Sequence, residues 1–368
     1  MWNYHNPVKV IAGVNSLEKL PALLGGRSCI LVTFPEARGL GLVERVHQLV
    51  GEQLHGVIDT IAPNPDVQWL GPLYEQVQRD YTAAPVIIAL GGGSAIDSAK
   101  ALLCATPHGK FEELLEVLEQ GGQLPAASAA IAHKALIAIP TTAGTGSEVT
   151  PWATIWDQAG ARKHSLHQAC TWPEAAIIDA GLMSSLPAGA TLASGLDALS
   201  HALESIWNVN RNPVSMSLAV QAARQVMVTL PALMCDLGNV QLRSDMAQAA
   251  LLAGLAFSNT KTALAHSLSY DITLQHGVPH GIACSFSLPL ILEMALGSDA
   301  QVDTALLSTF DTTEPAIAQA RLRHFLQKLG VATDPAHYGV EPQVWEVMVN
   351  KAARGPRGRN FIRSLATV

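Results

Sequence analysis

The stretch VIIALGGGSAIDSAK (residues 86–100) decides the fold of this chain. Its first five residues are continuously apolar, which is typical of a β-strand buried on both faces of a parallel sheet. Three glycines and a serine follow at once, and a helical pattern then runs over residues 95–104. The order of strand, glycine turn and helix indicates an α/β unit with a backbone loop at the carboxyl end of its strand.

The same alternation extends outward from that stretch through the first half of the chain. Further strand candidates are residues 29–33, 56–61, 135–139 and 175–179, and helical patterns cover residues 41–54 and 67–81. From about residue 185 the strand signals nearly vanish, and 3.6-residue apolar spacing dominates residues 190–209, 213–235 and 243–270. We therefore predict a parallel-sheet α/β domain over residues 1–182 and an all-α domain over residues 183–368.

Composition supports two folded domains and excludes several classes of protein. The 368 residues are 49% hydrophobic and 14% charged, which excludes a disordered chain. A net charge of −7 is unlike the basic balance of most nucleic-acid binders. The N-terminus has no apolar signal region, and no uncharged apolar run reaches about 18 residues. We expect a cytoplasmic protein with reduced cysteines, bound neither to nucleic acid nor to a membrane.

The glycine turn has the composition of a phosphate-binding loop. Gly91, Gly92 and Gly93 let backbone amides approach an anion, and the following helix N-terminus adds partial positive charge. Ser94 suits the helix cap, and Asp97 lies in the first turn. The alternative is a plain strand-to-helix turn that happens to use glycine. The stretch also does not match GxGxxG, the standard fingerprint of dinucleotide-binding loops.

A second loop, PTTAGTGSE (residues 140–148), follows the strand candidate at residues 135–139. It is rich in hydroxyl side chains and glycines, which can bond phosphate or ribose oxygens. Two such loops at strand carboxyl ends favour a nucleotide site over two structural turns.

Histidines and one aspartate form a candidate metal set in the second half. Asp197 and His201 are four residues apart in an apolar helical pattern, so they share one helix face. A surface ion pair is the alternative for these two alone. With His266 and His280 they offer one carboxylate and three imidazoles, a set that suits Fe(II) or Zn(II) equally. His276 is a further candidate, either as a proton relay or as an ordinary loop histidine.

These motifs together resemble the iron-containing, group III alcohol dehydrogenases. The resemblance rests on GGGSAIDSAK (residues 91–100), TTAGTGSEVT (141–150), GLDALSHALES (195–205) and the spacing from His266 to PHG (279–281). It implies a Rossmann-like N-terminal domain and a helical C-terminal domain, the dehydroquinate synthase-like fold. It also implies a metal-dependent, NAD- or NADP-linked alcohol dehydrogenase or aldehyde reductase that forms a homodimer.

The resemblance implies roles for individual residues. The metal ligands would be Asp197, His201, His266 and His280. The NAD(P) contacts would be Asn64, Gly91, Gly92, Gly93, Ser94, Asp97, Thr141, Thr142, Thr145 and Lys163. We assign catalytic roles to His280 as a ligand of the metal, to His276 as the proton relay and to Lys261 as a reader of substrate charge.

Three positions depart from the family pattern. Phe34 stands where many members carry an acidic residue that holds the adenosine ribose, so we expect NADP(H) to be accepted. Tyr270 stands where many members carry a further histidine, and Lys261 where small or apolar residues are common. The stretches ESIWNVNRNPVS, SNTKTALAHSLSY and GVPHGIACSFSLP resemble the branch associated with phosphonate metabolism, which includes phosphonoacetaldehyde reductases.

The substrate and several rival functions stay open at this point. Lys261 is either a surface lysine or a contact for an anionic aldehyde such as phosphonoacetaldehyde. The arginines near the C-terminus are either a solvated basic tail or part of the pocket mouth; they are Arg354, Arg357, Arg359 and Arg363. The alternatives in function are a short-chain alcohol, diol or zinc glycerol dehydrogenase, a dehydroquinate synthase-like lyase, or a non-enzymatic metal- or nucleotide-binding protein.

Overall fold

The computed structural model describes residues 1–126, 132–160 and 162–363, and the chain divides into two compact units. The sheet unit comprises Pro7–Thr142 and Ser147–Ser185, and the helical unit comprises Met1–Asn6, Ala143–Gly146 and Leu186–Val368. Two short segments ahead of the predicted boundary at residue 182 thus belong to the helical unit. They do so because of tertiary contacts: the Tyr4 hydroxyl donates to the Leu255 carbonyl, and Gly146 lies against Gly254.

Within its described residues, the sheet unit is built on six parallel strands and one antiparallel hairpin. The strands are β1 (Lys9–Ala12), β2 (Cys29–Thr33), β3 (Leu54–Ile58), β4 (Val86–Gly91), β5 (Ala135–Pro140), β6 (Trp152–Asp157), β7 (Arg162–His167) and β8 (Ala175–Ile178). The parallel sheet has the order β1-β8-β5-β4-β2-β3, and β6 pairs with β7. The predicted parallel sheet is confirmed. The sequence missed β1 and the hairpin, and it placed β3 two residues too late.

Helices cover both faces of the parallel sheet. They are α1 (Leu20–Leu24), α2 (Leu42–Val50), α3 (Val67–Asp80), α4 (Gly93–Leu103) and α5 (Phe111–Glu119). Ile87 and Ala89 of β4 pack in the core beneath α3 and α4. Val86, Ile88 and Leu90 pack in the opposite core, with α1 and α2. Because every residue of β4 is buried, the strand is continuously apolar instead of alternating.

The described part of the helical unit contains α-helices, short 3₁₀ turns and one isolated bridge between Asn208 and Phe361. The α-helices are α6 (Ala188–Ile206), α7 (Pro213–Cys235), α8 (Val240–Thr260), α9 (Leu264–His276), α10 (His280–Ser285), α11 (Leu288–Ala295), α12 (Ala300–Thr309), α13 (Pro315–Lys328) and α14 (Pro342–Arg354). The helical pattern at residues 243–270 proves to be two helices. Lys261 separates them, with a φ of 67° that a helix cannot accommodate.

By length and composition alone, α7 is the one described helix apolar enough to cross a membrane. It packs along α6 and α8 inside the helical unit, as a core helix of a folded domain does. It also carries Arg224, which donates to the Ser308 carbonyl. The expectation of no membrane partner stays a prediction.

Candidate metal centre and nucleotide loops

The structure brings the four predicted metal ligands together. Asp197 and His201 lie one turn apart on α6, while α9 and α10 supply His266 and His280. Asp197 Oδ1 lies 3.3 Å from Nε2 of His266 and 3.9 Å from Nε2 of both His201 and His280. Three imidazole nitrogens therefore surround one carboxylate oxygen.

Two atoms at this centre lack the hydrogen bonds that burial normally demands. Asp197 Oδ1 and His266 Nε2 are both buried, and neither has a hydrogen-bond partner within the described part of the chain. Nearly all buried polar groups in proteins are hydrogen-bonded, so such a pair needs an explanation. A divalent cation coordinated by both atoms would satisfy them, and the residues present therefore fit a metal ion.

Glu204 on α6 fixes the orientation of His266, a role that the sequence did not reveal. Its fully buried carboxylate lies 2.7 Å from His266 Nδ1. It also accepts backbone N–H bonds from Ala263 (2.8 Å), Ala265 (2.5 Å) and His266 (3.2 Å). The carboxylate holds the proton of His266 on Nδ1 and leaves Nε2 free to ligate. The available signal was the spacing of Glu204, three residues after His201 on one helix face.

His201 is held in the same way by a backbone carbonyl. Its Nδ1 lies 3.3 Å from the Gly144 oxygen, which favours an Nδ1–H donor and a free Nε2. The ring also stacks on Phe257 and on His266, with centroids 4.1 Å and 4.5 Å apart. The packed ring therefore presents Nε2 toward Asp197.

Cys284 is a second residue at this centre that the sequence analysis missed. It lies one turn after His280 on α10, and its Sγ is 3.5 Å from His280 Nε2. The ligand atoms of Asp197, His266, His280 and Cys284 all lie within 4.8 Å of one another. The spacing of four residues between His280 and Cys284 was the signal.

The electrostatics of the centre favour a cation. Burial lowers the pKa of His201 to about 4, so its ring is neutral at neutral pH. Burial opposes ionisation of Asp197, yet His201 and His266 hold its pKa well below the usual value. Burial would lower the pKa of His266, but Cys284 and Glu204 raise it well above the usual value. A neutral His201 ring and an ionised Asp197 carboxylate are the forms in which these side chains ligate a divalent cation.

One of the predicted catalytic residues, His276, lies apart from the ligand cluster. His276 is ten residues after His266 on α9, about 15 Å along the helix axis, and lies beside Gly339. Across the described ranges, no hydrogen bond or ring contact joins His276 to the cluster. Lys261 is exposed at the break between α8 and α9, and its carbonyl accepts from Asn208 Nδ2. Both roles stay predictions.

Arg357 contacts Tyr270, whose aromatic ring lies beside the predicted ligand His280. The ring of Tyr270 lies nearly parallel to that of His280, with centroids 6.2 Å apart. The guanidinium of Arg357 sits over the Tyr270 ring at 4.9 Å, and its Nε donates to Thr262 Oγ1. One C-terminal arginine is thus one ring away from a predicted ligand, and it donates to the residue that follows Lys261.

In the sheet unit, the glycine loop lies where β4 passes into α4. A Cβ on Gly91 would lie 2.6 Å from Ala95 Cβ and 3.3 Å from the Phe34 ring. A Cβ on Gly92 would lie 3.2 Å from the Thr142 methyl group. The glycines therefore permit a close packing of two strand ends. The Thr142 hydroxyl oxygen beside them is buried without a partner in the described ranges, as expected of a group that bonds a ligand.

Most of the other predicted NAD(P)-binding residues contact groups of the protein itself. The Asn64 N–H donates to Ser94 Oγ, and the Thr141 N–H donates to the Gly91 carbonyl. Lys163 on β7 sits over the Trp156 ring at 5.3 Å. Thr145 lies in the segment Ala143–Gly146 of the helical unit.

Asp97 is engaged within the protein itself. Its two oxygens accept from Ser147 Oγ at 2.6 Å and from the Thr154 N–H at 2.8 Å. Next to it, the buried Lys100 ammonium donates to Ser147 and to the Trp152 carbonyl. Both carboxylate oxygens of Asp97 thus bond groups of the protein itself. Its predicted contact with NAD(P) stays a prediction.

Comparison with known proteins identifies both halves of the chain. A family model described as iron-containing alcohol dehydrogenase matches residues 7–180. The model for the C-terminal part of the Fe-containing alcohol dehydrogenase family matches residues 191–363.

Individual relatives and one solved structure agree with these matches. The probable alcohol dehydrogenase EutG of Escherichia coli K12 is 37% identical over 209 residues, covering 56% of this chain and 50% of that protein. The NAD-dependent methanol dehydrogenase of Bacillus methanolicus is 29% identical over 371 residues, 96% of this chain and 93% of that protein. The sulfoacetaldehyde reductase of Bifidobacterium kashiwanohense, solved with NAD+, has a TM-score of 0.89 at 26% identity and covers 100% and 96% of the two chains. The predicted fold class is therefore confirmed.

Proposed function

Because the chain belongs to the iron-containing alcohol dehydrogenase family, we propose that it transfers hydride between NAD(P) and a small alcohol or aldehyde, with a divalent metal. The observation that carries the proposal is the convergence of three histidine nitrogens on Asp197 Oδ1, with two of these buried atoms unpartnered. Fe(II) is the proposed metal, and Zn(II) suits the same nitrogen and oxygen donors.

Each unit contributes its own part of the chemistry. A bound divalent ion would polarise the substrate oxygen, and the nicotinamide would carry the hydride. Asp197 and the three histidines would hold that ion, and Glu204 keeps the proton of His266 away from Nε2. In the sheet unit, the Gly91–Ser94 amides and the Thr142 hydroxyl would bind the cofactor phosphates at the start of α4.

We also propose that the substrate carries an anionic group. Arg357 lies over Tyr270, whose ring is parallel to that of His280, so a guanidinium stands one ring away from a predicted metal ligand. Lys261 precedes Thr262, the residue to which Arg357 donates. The solved relative named above is a sulfoacetaldehyde reductase, and the sequence resembles phosphonoacetaldehyde reductases. Phosphonoacetaldehyde is the substrate we would test first.

The test of substrate charge compares two aldehydes. Phosphonoacetaldehyde and an uncharged aldehyde of similar size are assayed with wild-type protein and with Lys261→Ala and Arg357→Ala. Charge-assisted hydrogen bonds are worth about 1.5–3 kcal/mol, so we expect roughly a 10- to 100-fold loss of kcat/KM for the anionic substrate only. The control is Arg323→Ala, an exposed arginine of α13. Equal losses for both aldehydes, or none, would refute a role in reading charge.

The test of the reaction uses metal-reconstituted protein. Turnover is measured with a panel of aldehydes, alcohols, diols and glycerol, using both NAD(H) and NADP(H). Substrate preference within the panel distinguishes an aldehyde reductase from a diol or glycerol dehydrogenase. A protein that binds metal and nucleotide and turns over none of the panel would be a binding protein, and our proposal would fail.

The remaining proposals concern cofactor and assembly. Phe34 packs against Gly91, so no carboxylate stands at that position to repel the 2′-phosphate of NADP. We propose that NADP(H) is accepted at least as well as NAD(H). We also propose a homodimer, which sedimentation at micromolar concentration would reveal as twice the 38.9 kDa chain mass.

A further inference from the structure

We propose that Cys284 ligates the metal of this centre through its thiolate, beside the aspartate and histidines, and thereby raises the preference of the site for zinc over Fe(II). The inference rests on the proposed function, since it concerns the same ion. It adds a sulfur donor to a set for which the sequence predicted only nitrogen and oxygen.

The position of the sulfur carries the inference. Sγ lies 3.5 Å from His280 Nε2 and 3.8 Å from His280 Nδ1, and the residue is completely buried. Sγ also lies within 4.8 Å of one carboxylate oxygen of Asp197 and one ring nitrogen of His266. These two residues carry the buried, unpartnered atoms Asp197 Oδ1 and His266 Nε2. A thiol beside two residues with unsatisfied ligand atoms is placed to share the cation that satisfies them.

The helix geometry explains why the sulfur faces this way. His280 is the first residue of α10, and Cys284 follows one turn later on the same face. Gly281 lets α10 approach α6 closely, since a Cβ there would lie 1.8 Å from the Ala193 carbonyl oxygen. The close approach brings His280 and Cys284 together toward Asp197.

Sulfur ligation has a defined chemical consequence. Ligation breaks the S–H bond, forms a metal–sulfur bond and releases one proton to solvent, with no change in oxidation state. Thiolate is a softer donor than imidazole or carboxylate, and divalent zinc binds such sites more tightly than Fe(II). The alternative is a thiol that only hydrogen-bonds His280 and orients its ring.

The experiment measures the metal's neighbours directly. The full-length protein is loaded with one equivalent of zinc, and X-ray absorption determines the first coordination shell. We expect a sulfur shell at about 2.3 Å together with nitrogen and oxygen at about 2.0–2.1 Å. Cobalt-loaded protein should show a sulfur-to-cobalt charge-transfer band in the near ultraviolet. Both signals should disappear in Cys284→Ser and Cys284→Ala and persist in the control Cys235→Ser, which removes an exposed thiol.

A competition between metals tests the predicted selectivity. Under anaerobic conditions, zinc and Fe(II) compete for the wild-type protein and for Cys284→Ser, which keeps the size of the side chain. We expect the preference for zinc to fall at least about 10-fold in the variant. A shell of nitrogen and oxygen only, with the same zinc preference in wild type and variant, would overturn the inference and leave the proposed function standing. A protein that binds no stoichiometric zinc, cobalt or Fe(II) would overturn both.

Discussion

Replacing Glu204 by glutamine tests how the helical unit prepares its metal ligands. The carboxylate accepts four hydrogen bonds: Oε1 from the Ala265 and His266 amides, and Oε2 from the Ala263 amide and the His266 ring. A glutamine amide keeps one acceptor oxygen and puts an NH2 group at the other position. Two buried donors therefore lose their acceptor, whichever way the amide points.

The magnitude follows from these contacts. An unsatisfied buried donor costs about 1–3 kcal/mol, so two donors cost about 2–6 kcal/mol of unfolding free energy. His266 can avoid part of this cost by moving its proton to Nε2 and accepting from the amide through Nδ1. That tautomer removes the lone pair that faces Asp197 Oδ1. Either outcome weakens metal binding, and we expect a 10- to 100-fold loss of affinity.

The assays are chelator competition for zinc affinity and urea unfolding of the metal-free protein. Glu174→Gln is the matched control, because Glu174 pairs with Arg27 where the two side chains are 46% and 34% exposed. We expect the control to change stability by less than about 0.5 kcal/mol. Zinc affinity in Glu204→Gln within twofold of wild type would refute the proposed tautomer control.

Three further predictions concern the cofactor, pH and packing. Phe34→Asp should shift the ratio of kcat/KM toward NAD(H) over NADP(H), because a carboxylate repels the 2′-phosphate; an unchanged ratio would contradict this. Burial raises the pKa of Glu148 to about 7 from an ordinary 4.5, so the folded state binds more protons between these values. Stability of the metal-free protein should therefore fall by up to about 3 kcal/mol from pH 4.5 to 7, and urea titrations of Glu148→Gln should lack this decline. Gly281→Ala should weaken zinc binding and lower unfolding free energy by at least about 1–3 kcal/mol, because its Cβ would clash with the Ala193 carbonyl oxygen. The control Gly189→Ala, on an open face of α6, should be neutral or stabilising in the same urea experiment.

The strands that the sequence predicted well are the ones buried on both faces. Residues of β2, β4 and β5 are almost all buried, so their apolar runs are unbroken and easily recognised. The hairpin strand β7 reads RKHSLH and exposes alternate residues, and β1 is a four-residue edge strand. β7 has no apolar run, and β1 is too short to be distinguished from a loop.

In the candidate metal centre, too, the sequence revealed the residues with a local pattern and missed those that only tertiary packing brings in. Helical spacing alone places Asp197 and His201 on one face, and the family motifs indicate His266 and His280. The sequence could not show that Glu204 would meet the start of α9, or that Cys284 would join the cluster. Sequence by itself determined the buried strands, most helices and the local spacing of ligands, because these depend on neighbours within one or two turns. Only the packing of α6 against α9 and α10 decided which polar side chains share one buried volume, because residues far apart along the chain meet only when helices pack.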